Sequence, residues 1–287
     1  MGIIGILGGS GVYDLPGLEN TEWVSCNTPW GDPSDQVLLG RLGSTQLAFL
    51  PRHGRGHRIA PGEVNYRANI HALKSLGVTD LISVSAVGSL REDLNPGTFV
   101  VVDQFVDRTF ARVKSFFGKG LVAHVSMAHP VCSRLGAHVA HTLTTQAIPH
   151  AVGGTYLVME GPQFSTLAES RLYRSWGCDV IGMTNMPEAK LAREAELCYA
   201  SVAMVTDYDC WHPDHDSVTV DAIIRVLLSN AAAAQSLLVS LTGAVAADAH
   251  ADECACRRAL DHTLITAPAA RDPEMVERLR VVAGRVL

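Results

Sequence analysis

Residues 64–89 read VNYRANIHALKSLGVTDLISVSAVGS, and the fold class is decided there. Ile70, Leu73 and Leu76 recur at helical spacing, and Gly77 follows the last of them as a helix stop. Leu81–Val87 then has strand character and ends at Gly88-Ser89. The same rhythm continues outward in both directions. Upstream, Ile3–Leu7 reads as a fully buried strand before Gly8-Gly9-Ser10-Gly11, and Gln46–Leu50 as another before Pro51-Arg52-His53-Gly54. Downstream, Asn95-Pro96-Gly97 is a turn ahead of the β-rich stretch Thr98–Asp103. Helices are predicted over Ser133–Gln146, Thr166–Trp176, Pro187–Glu196 and Val220–Val245. Strands are predicted over Thr155–Met159, Asp179–Met183 and Tyr199–Thr206. Such alternation predicts a single α/β domain, with a central mixed and largely parallel sheet flanked by helices on both faces. The patterning weakens near residue 247, so the expected division is a domain over 1–247 and an Ala/Arg-rich tail over 248–287 with a helix near Glu274–Val286.

Composition narrows the function. Hydrophobic residues make up 47% of the 287 and charged residues 18%, enough for a sizeable core and for subunit interfaces. Net charge is −6 with no Lys/Arg run longer than a pair, which argues against nucleic acid as a partner. No run reaches the roughly 18 apolar residues of a membrane helix, so no membrane association is expected. The apolar start lacks a basic leader and a cleavage site, and seven scattered cysteines suit a reducing compartment. A cytoplasmic protein is the expectation.

In sheets of this kind chemistry collects at the carboxyl ends of strands, and polar residues gather at the predicted ends. Gly8-Gly9-Ser10-Gly11 lets backbone N–H groups approach an anion, although the same loop reads equally as a plain turn. Arg52-His53 adds a cation shaped to grip phosphate through two parallel hydrogen bonds and a second donor; the alternative is a surface Arg beside a core His. With Ser10 and Thr184 these make four clustered donors. Asp207 and Asp209 flank Tyr208 directly after a strand, and in an extended segment they face one side. There they suit an adenine amino group and a proton at a ring nitrogen; helix capping or a loop ion pair remains open.

Metal chemistry is not expected. His53/His57, His138/His141 and the Asp209–His215 stretch lack regular ligand geometry, and Cys254-Ala255-Cys256 supplies two ligands where a structural zinc site needs four. A nucleophile elbow G-x-S-x-G is absent, which counts against a serine hydrolase.

Taken together, these segments resemble the trimeric purine nucleoside phosphorylase family, in its methylthioadenosine phosphorylase branch. The resemblance rests on Gly8–Gly11, Thr28-Pro29-Trp30-Gly31, Pro51–Gly54, Val64–Asn69, Ala86–Leu90, Asp103–Thr109, Glu160–Ser165, Met183-Thr184 and Thr206–Trp211. It implies a nucleoside phosphorylase-like fold, a homotrimer, a purine nucleoside substrate, and inorganic phosphate as co-substrate with no cofactor. It further implies that Ser10, Arg52, His53, the Ala86 backbone and Thr184 hold phosphate. Met183 would lie against the ribose, Phe164 on the purine, and Asp207 and Asp209 at N7 and the 6-amino group. Val220 and Ile223 would line the 5′-methylthio pocket, completed by His124 from a neighbouring subunit. The branch follows from the aspartates, because an ionised carboxylate accepts from an amine and repels a carbonyl. The expected reaction is phosphorolysis of 5′-methylthioadenosine. The alternatives are phosphorolysis of adenosine, another 5′-substituted adenosine or methylthioinosine and, from a different class, a nucleoside hydrolase or a non-catalytic binder. By the same resemblance, Gly182 stands where many relatives carry a polar Asn beside the base.

Overall fold

The computed structural model describes residues 2–9, 15–213 and 220–287; within the helix that starts at Val220, the side chains at 220–223, 225, 227 and 229 are outside the description. The strands are β1 (Ile3–Gly8), β2 (Glu19–Val24), β3 (Val37–Leu42), β4 (Thr45–Pro51), β5 (Val78–Ser89), β6 (Phe99–Val102), β7 (Gln104–Arg108), β8 (His150–Val152), β9 (Thr155–Met159), β10 (Val180–Gly182) and β11 (Cys198–Asp207). The α-helices are α1 (Tyr66–Ser75), α2 (Ser133–Thr145), α3 (Leu167–Ser175), α4 (Asn185–Glu194), α5 (Val220–Ala246) and α6 (Pro273–Ala283).

Among the described residues all eleven strands form one sheet, running β2-β3-β4-β1-β5-β10-β9-β7, with β11 branching from β5 to β6 and β8. Pairings of β1 with β4 and β5, β11 with β5, β9 with β10 and β7, and β6 with β8 are parallel. Those of β2 with β3, β3 with β4, β10 with β5, and β11 with β6 are antiparallel. The mixed, largely parallel sheet is therefore as expected. β2, β3, β7 and β8 are additional to the predicted strands. Four of β2's residues face solvent as a run, and β8 has three residues in all, so neither carries a clear apolar alternation.

Helices cover both faces. α1, α4 and α6 bury Ile70, Leu73, Leu191, Leu279 and Val282 in one core, whereas α2 and α5 bury Leu135, Val139, Leu237, Leu238 and Leu241 in the other. Each such side chain contributes about 1.5–3 kcal/mol of apolar burial. The α1 boundaries follow local chemistry. Asn65 caps the first turn by accepting from the Ala68 N–H, and Gly77 leaves the helix at φ +91°, a conformation open to glycine. Thr166 and Glu169 form a reciprocal cap on α3.

Residues beyond Asp248 pack into the same body. Leu260, Leu279, Val282 and Ala283 join the core beneath α1, and Arg285 binds Glu196 at 2.6 Å. Among the described residues, no single helix is long and apolar enough to cross a membrane.

Candidate active site

Because β1, β4 and β11 all run parallel to β5 or its parallel neighbour, their carboxyl ends meet at one edge. Gly8-Gly9, Arg52-His53, Ala86–Gly88 and Asp207 sit there. The Arg52 N–H donates to the Gly8 carbonyl at 3.0 Å, which ties the first two together. The short antiparallel strand β10 pairs with the end of β5 through Ile181 and Gly88, delivering Met183 and Thr184 to the same edge. Ser10 lies outside the described residues, as do the side chains of Val220 and Ile223.

Arg52 is 2% exposed, and its fork closes on a partner that the motif reading did not include. Nε and Nη2 donate to the two carboxylate oxygens of Glu188 at 2.7 and 3.2 Å; Nη2 also donates to Ser83 Oγ at 2.7 Å and Nη1 to the Val84 carbonyl at 3.2 Å. The expected two-pronged grip on phosphate is therefore corrected. Arg52 spends its bidentate face on Glu188, leaving its charge and a hydrogen on Nη1 for the site. Glu188 also accepts from Ser83 Oγ at 2.6 Å and the Tyr199 hydroxyl at 2.8 Å. Beside it the buried Asn185 binds Ser85, Ser201 and Tyr199, and accepts from the Thr184 hydroxyl at 3.3 Å. A buried polar network thus supports Arg52 and Thr184 from below. Serines 83 and 85, alternating in the otherwise apolar stretch Leu81–Val87, were its trace in the sequence.

His53 is buried and stacks on His57 with ring centroids 4.3 Å apart. Its Nδ1 lies 2.9 Å from the Ile59 carbonyl, and a carbonyl only accepts, so Nδ1 carries the proton. Burial, reinforced by the Arg52 charge, pushes its pKa down to about 4, so the ring is neutral near pH 7. Neutral His53 offers Nε2 as an acceptor, which corrects its expected role as a second donor.

The aspartates are close to each other for a reason other than strand alternation. Asp207 ends β11, but Asp209 turns into the left-handed region at φ +51°. Its backbone N–H donates to Asp207 Oδ1 at 2.8 Å, closing an Asx turn. Asp207 Oδ2 accepts from the Thr206 hydroxyl at 2.7 Å. A side chain at Gly88 would place its Cβ 2.9 Å from Asp207 Oδ1, so this glycine is what lets the carboxylate lie against β5. Burial raises the pKa of both aspartates, and the neighbouring Asp207 adds to the effect on Asp209. Asp209 is buried facing Ser165 and Ser170, and the Cys210 thiol donates to the Ser165 carbonyl at 3.4 Å. These contacts bring the Glu160–Ser165 loop and the half-exposed Phe164 to the aspartate turn.

Arg112 is a second residue that the sequence reading missed. Nearly fully buried, it donates to the carbonyls of Met183 and Met186 at 2.7 Å each and of Glu160 at 2.7 Å, and to Glu160 Oε1 at 2.8 Å. It thereby clamps the Met183-Thr184 segment to the Phe164 loop. Gly161 gives Met183 its place, since a Cβ there would come 2.5 Å from the sulfur. At Gly182 a Cβ would meet the Tyr156 hydroxyl at 2.1 Å, so the tyrosine fills the space a side chain would need there. His124 is exposed and holds the Thr263 carbonyl through its backbone N–H at 3.0 Å.

Two concavities, one around Lys74, Glu196 and Arg285 and one around Arg91, Asp93 and Asp179, contain none of these residues. Of the expected non-sites, His138 binds Asp248 at 2.9 Å. The count of two sulfur ligands at Cys254 and Cys256 was incomplete, because the fold adds Cys132 and Cys198.

Comparison with known proteins gives a consistent picture. The phosphorylase superfamily model matches residues 3–242. An S-methyl-5′-thioadenosine phosphorylase of Rhodospirillum rubrum is 63% identical over 285 residues, covering 99% of this chain and 97% of the relative. Its counterpart in Cereibacter sphaeroides is 62% identical, covering 99% and 98%. The crystal structure of a methylthioadenosine phosphorylase from an antarctic soil metagenomic library superposes with a TM-score of 0.93 at 46% identity, over 98% of each chain. That of a Schistosoma mansoni methylthioadenosine phosphorylase in complex with adenine gives 0.87 at 36% identity, over 91% of this chain and 98% of the other.

Proposed function

The chain belongs to the phosphorylase superfamily, and from that membership we propose that it cleaves 5′-methylthioadenosine with inorganic phosphate, releasing adenine and 5-methylthioribose 1-phosphate. It is a pentosyltransferase of purine and methionine salvage. The observation that carries the reading is the pairing, at one sheet edge, of an anion-binding group (Arg52, His53, Thr184) with two buried carboxyl groups of raised pKa.

The chemistry divides between the two groups. As the glycosidic bond stretches, the ribose gains positive charge and the purine negative charge. Phosphate under the sugar stabilises the first and captures it. It is held by the Arg52 charge, by the Ala86 backbone and by Thr184. The Thr184 side chain makes no capping bond to the backbone that follows it, so its hydroxyl turns from Asn185 to the phosphate. The neutral His53 Nε2 accepts the hydroxyl of monohydrogen phosphate, orienting its unprotonated oxygens toward the sugar. On the purine side, Asp207 donates a proton at N7. When Oδ2 is protonated, Thr206 turns its hydroxyl to the Val87 carbonyl, 3.2 Å away, and no group is orphaned. Asp209 accepts from the 6-amino group, Phe164 stacks on the base, and Met183 packs against the ribose. No cofactor takes part in these steps.

Self-association completes the site. Phe110, 82% exposed, is tied to the loop that carries Phe164 by its N–H to Glu160, and the exposed Leu167, Leu172 and Trp176 lie along and at the end of α3, which follows that loop. Apolar surface on this scale marks an interface, and it agrees with a homotrimer in which His124 reaches a neighbour's 5′ pocket. The protein works in the cytoplasm on a small-molecule substrate.

The test is adenine release from 5′-methylthioadenosine with and without phosphate. Release only with phosphate supports the reading; release without it makes the protein a hydrolase, and none in either case makes it a binder. A Schistosoma mansoni relative, 34% identical, is named an adenosine/methylthioadenosine phosphorylase, so adenosine and methylthioinosine belong in the same panel.

A further inference from the structure

Four of the seven cysteines meet at one point far from the candidate active site. Cys132 caps α2, Cys198 opens β11, and Cys254 and Cys256 stand on two short turns of the C-terminal segment. Their four Sγ atoms all lie within 4.8 Å of one another, and Cys132 and Cys254 are 3.6 Å apart. Cys132, Cys198 and Cys256 are buried and Cys254 is half-buried.

The separations distinguish between sulfur chemistries. A disulfide brings two sulfurs to about 2.05 Å and asks nothing of a second pair. Four thiolates around one tetrahedral zinc, at about 2.3 Å each, place every pair of sulfurs about 3.8 Å apart. Mutual proximity of all four, with none at bonding distance, has the geometry of the second arrangement. Donors and cations are already placed around it. Arg193 Nη1 donates to Cys256 at 3.6 Å, the Leu135 N–H at the start of α2 donates to Cys132 at 3.5 Å, and Arg134 reaches Cys198. Such outer donors offset the double negative charge of a four-thiolate zinc centre.

We propose that Cys132, Cys198, Cys254 and Cys256 form a closed structural site for one zinc ion. Binding converts four thiols and a dication into a tetrathiolate complex and four released protons, with no change of oxidation state. Four protein ligands leave no open position, so the site is structural. Cys198 and Asp207 stand at opposite ends of β11, some 30 Å apart at the rise of a strand. The ion therefore has no part in the glycosidic chemistry. It pins the C-terminal segment to the amino-terminal edge of the sheet, ahead of Leu260 in the core and of Leu264, which pairs with Ala123 beside His124.

The test uses the full chain, expressed with zinc supplied and purified without chelators. Elemental analysis is expected to find about one zinc per chain, falling below about a fifth in Cys254→Ser and Cys256→Ser and unchanged in the control Cys178→Ser. Because a variant can lose metal by unfolding, the wild type supplies a second readout. A mercurial reagent releases the zinc to a colorimetric chelator, and refilling with cobalt gives the thiolate charge-transfer and d–d bands of a tetrahedral ion. Protein that, once reduced, takes up neither zinc nor cobalt overturns the proposal. So does peptide mapping that finds these four cysteines joined in disulfides in metal-free, folded protein.

Discussion

Glu188→Gln keeps the Arg52 guanidinium, 2% exposed in the fold, but removes the charge that neutralises and positions it. The carboxylate takes two bonds from Arg52 and one each from Ser83 and Tyr199, at 2.6 to 3.2 Å. An amide of the same shape turns one acceptor into a donor facing those donors. Breaking one side of a buried ion pair costs about 3–5 kcal/mol, and a chain of this size loses roughly 2–4 °C of melting temperature per kcal/mol. The expected fall is on the order of 10 °C, together with a raised KM for phosphate, because Arg52 no longer has a fixed position. Replacing both partners, as Arg52→Met with Glu188→Leu, removes both charges and is expected to recover most of the stability while phosphorolysis stays lost. Thermal melts of the wild type, Arg52→Met, Glu188→Leu and the double variant, with phosphate kinetics on each, make a complete cycle. A Glu188→Gln loss below about 1 kcal/mol, or single losses that simply add in the double variant, would refute the claim that Glu188 positions Arg52.

Three further outcomes are expected. Asp207→Ala and Asp207→Asn lose roughly 10²–10⁴-fold in turnover if Asp207 is the proton donor; steady-state adenine release measures this, and near wild-type rates in both variants exclude that role. Burial raises the Glu194 carboxyl to about 7 although it accepts from Ser115 and the Phe116 N–H. A carboxyl raised in the fold contributes stability below its unfolded value that is lost as pH rises through about 7. Melting temperature is therefore expected to fall between pH 5 and pH 8 by the equivalent of about 3 kcal/mol, and Glu194→Gln to flatten that slope; an unchanged slope would count against it. Gly182→Ala drives its new methyl into Tyr156 and costs about 1–3 kcal/mol by overpacking. Thermal melts are expected to show a smaller loss when the same change is made in a Tyr156→Leu background.

The legible part of the site was its polar strand ends. Arg52-His53, Ala86–Gly88, Met183-Thr184 and Asp207 each follow an apolar run, and strand direction alone sends such residues to one edge. Support beneath that edge was not legible. Glu188 lies 136 residues from Arg52 in the chain, and Arg112 sits in a stretch with no periodicity to single it out. Asp209 was expected beside Asp207 by strand alternation and is beside it by an Asx turn at positive φ, a distinction that depends on where β11 stops pairing with β5.

By itself the sequence determined the order and kind of the main elements, the apolar faces, the helix end at Gly77, and which chemistry-bearing residues follow strands. These are short-range properties, in which a residue and its neighbours within two turns carry the whole signal. Tertiary structure alone decided the antiparallel placement of β10 beside β5, the neutral tautomer of His53, the diversion of the Arg52 fork to Glu188, and the convergence of Cys132, Cys198, Cys254 and Cys256. Each depends on groups far apart in the chain whose mutual distance, burial and charge exist only after the sheet has closed around them.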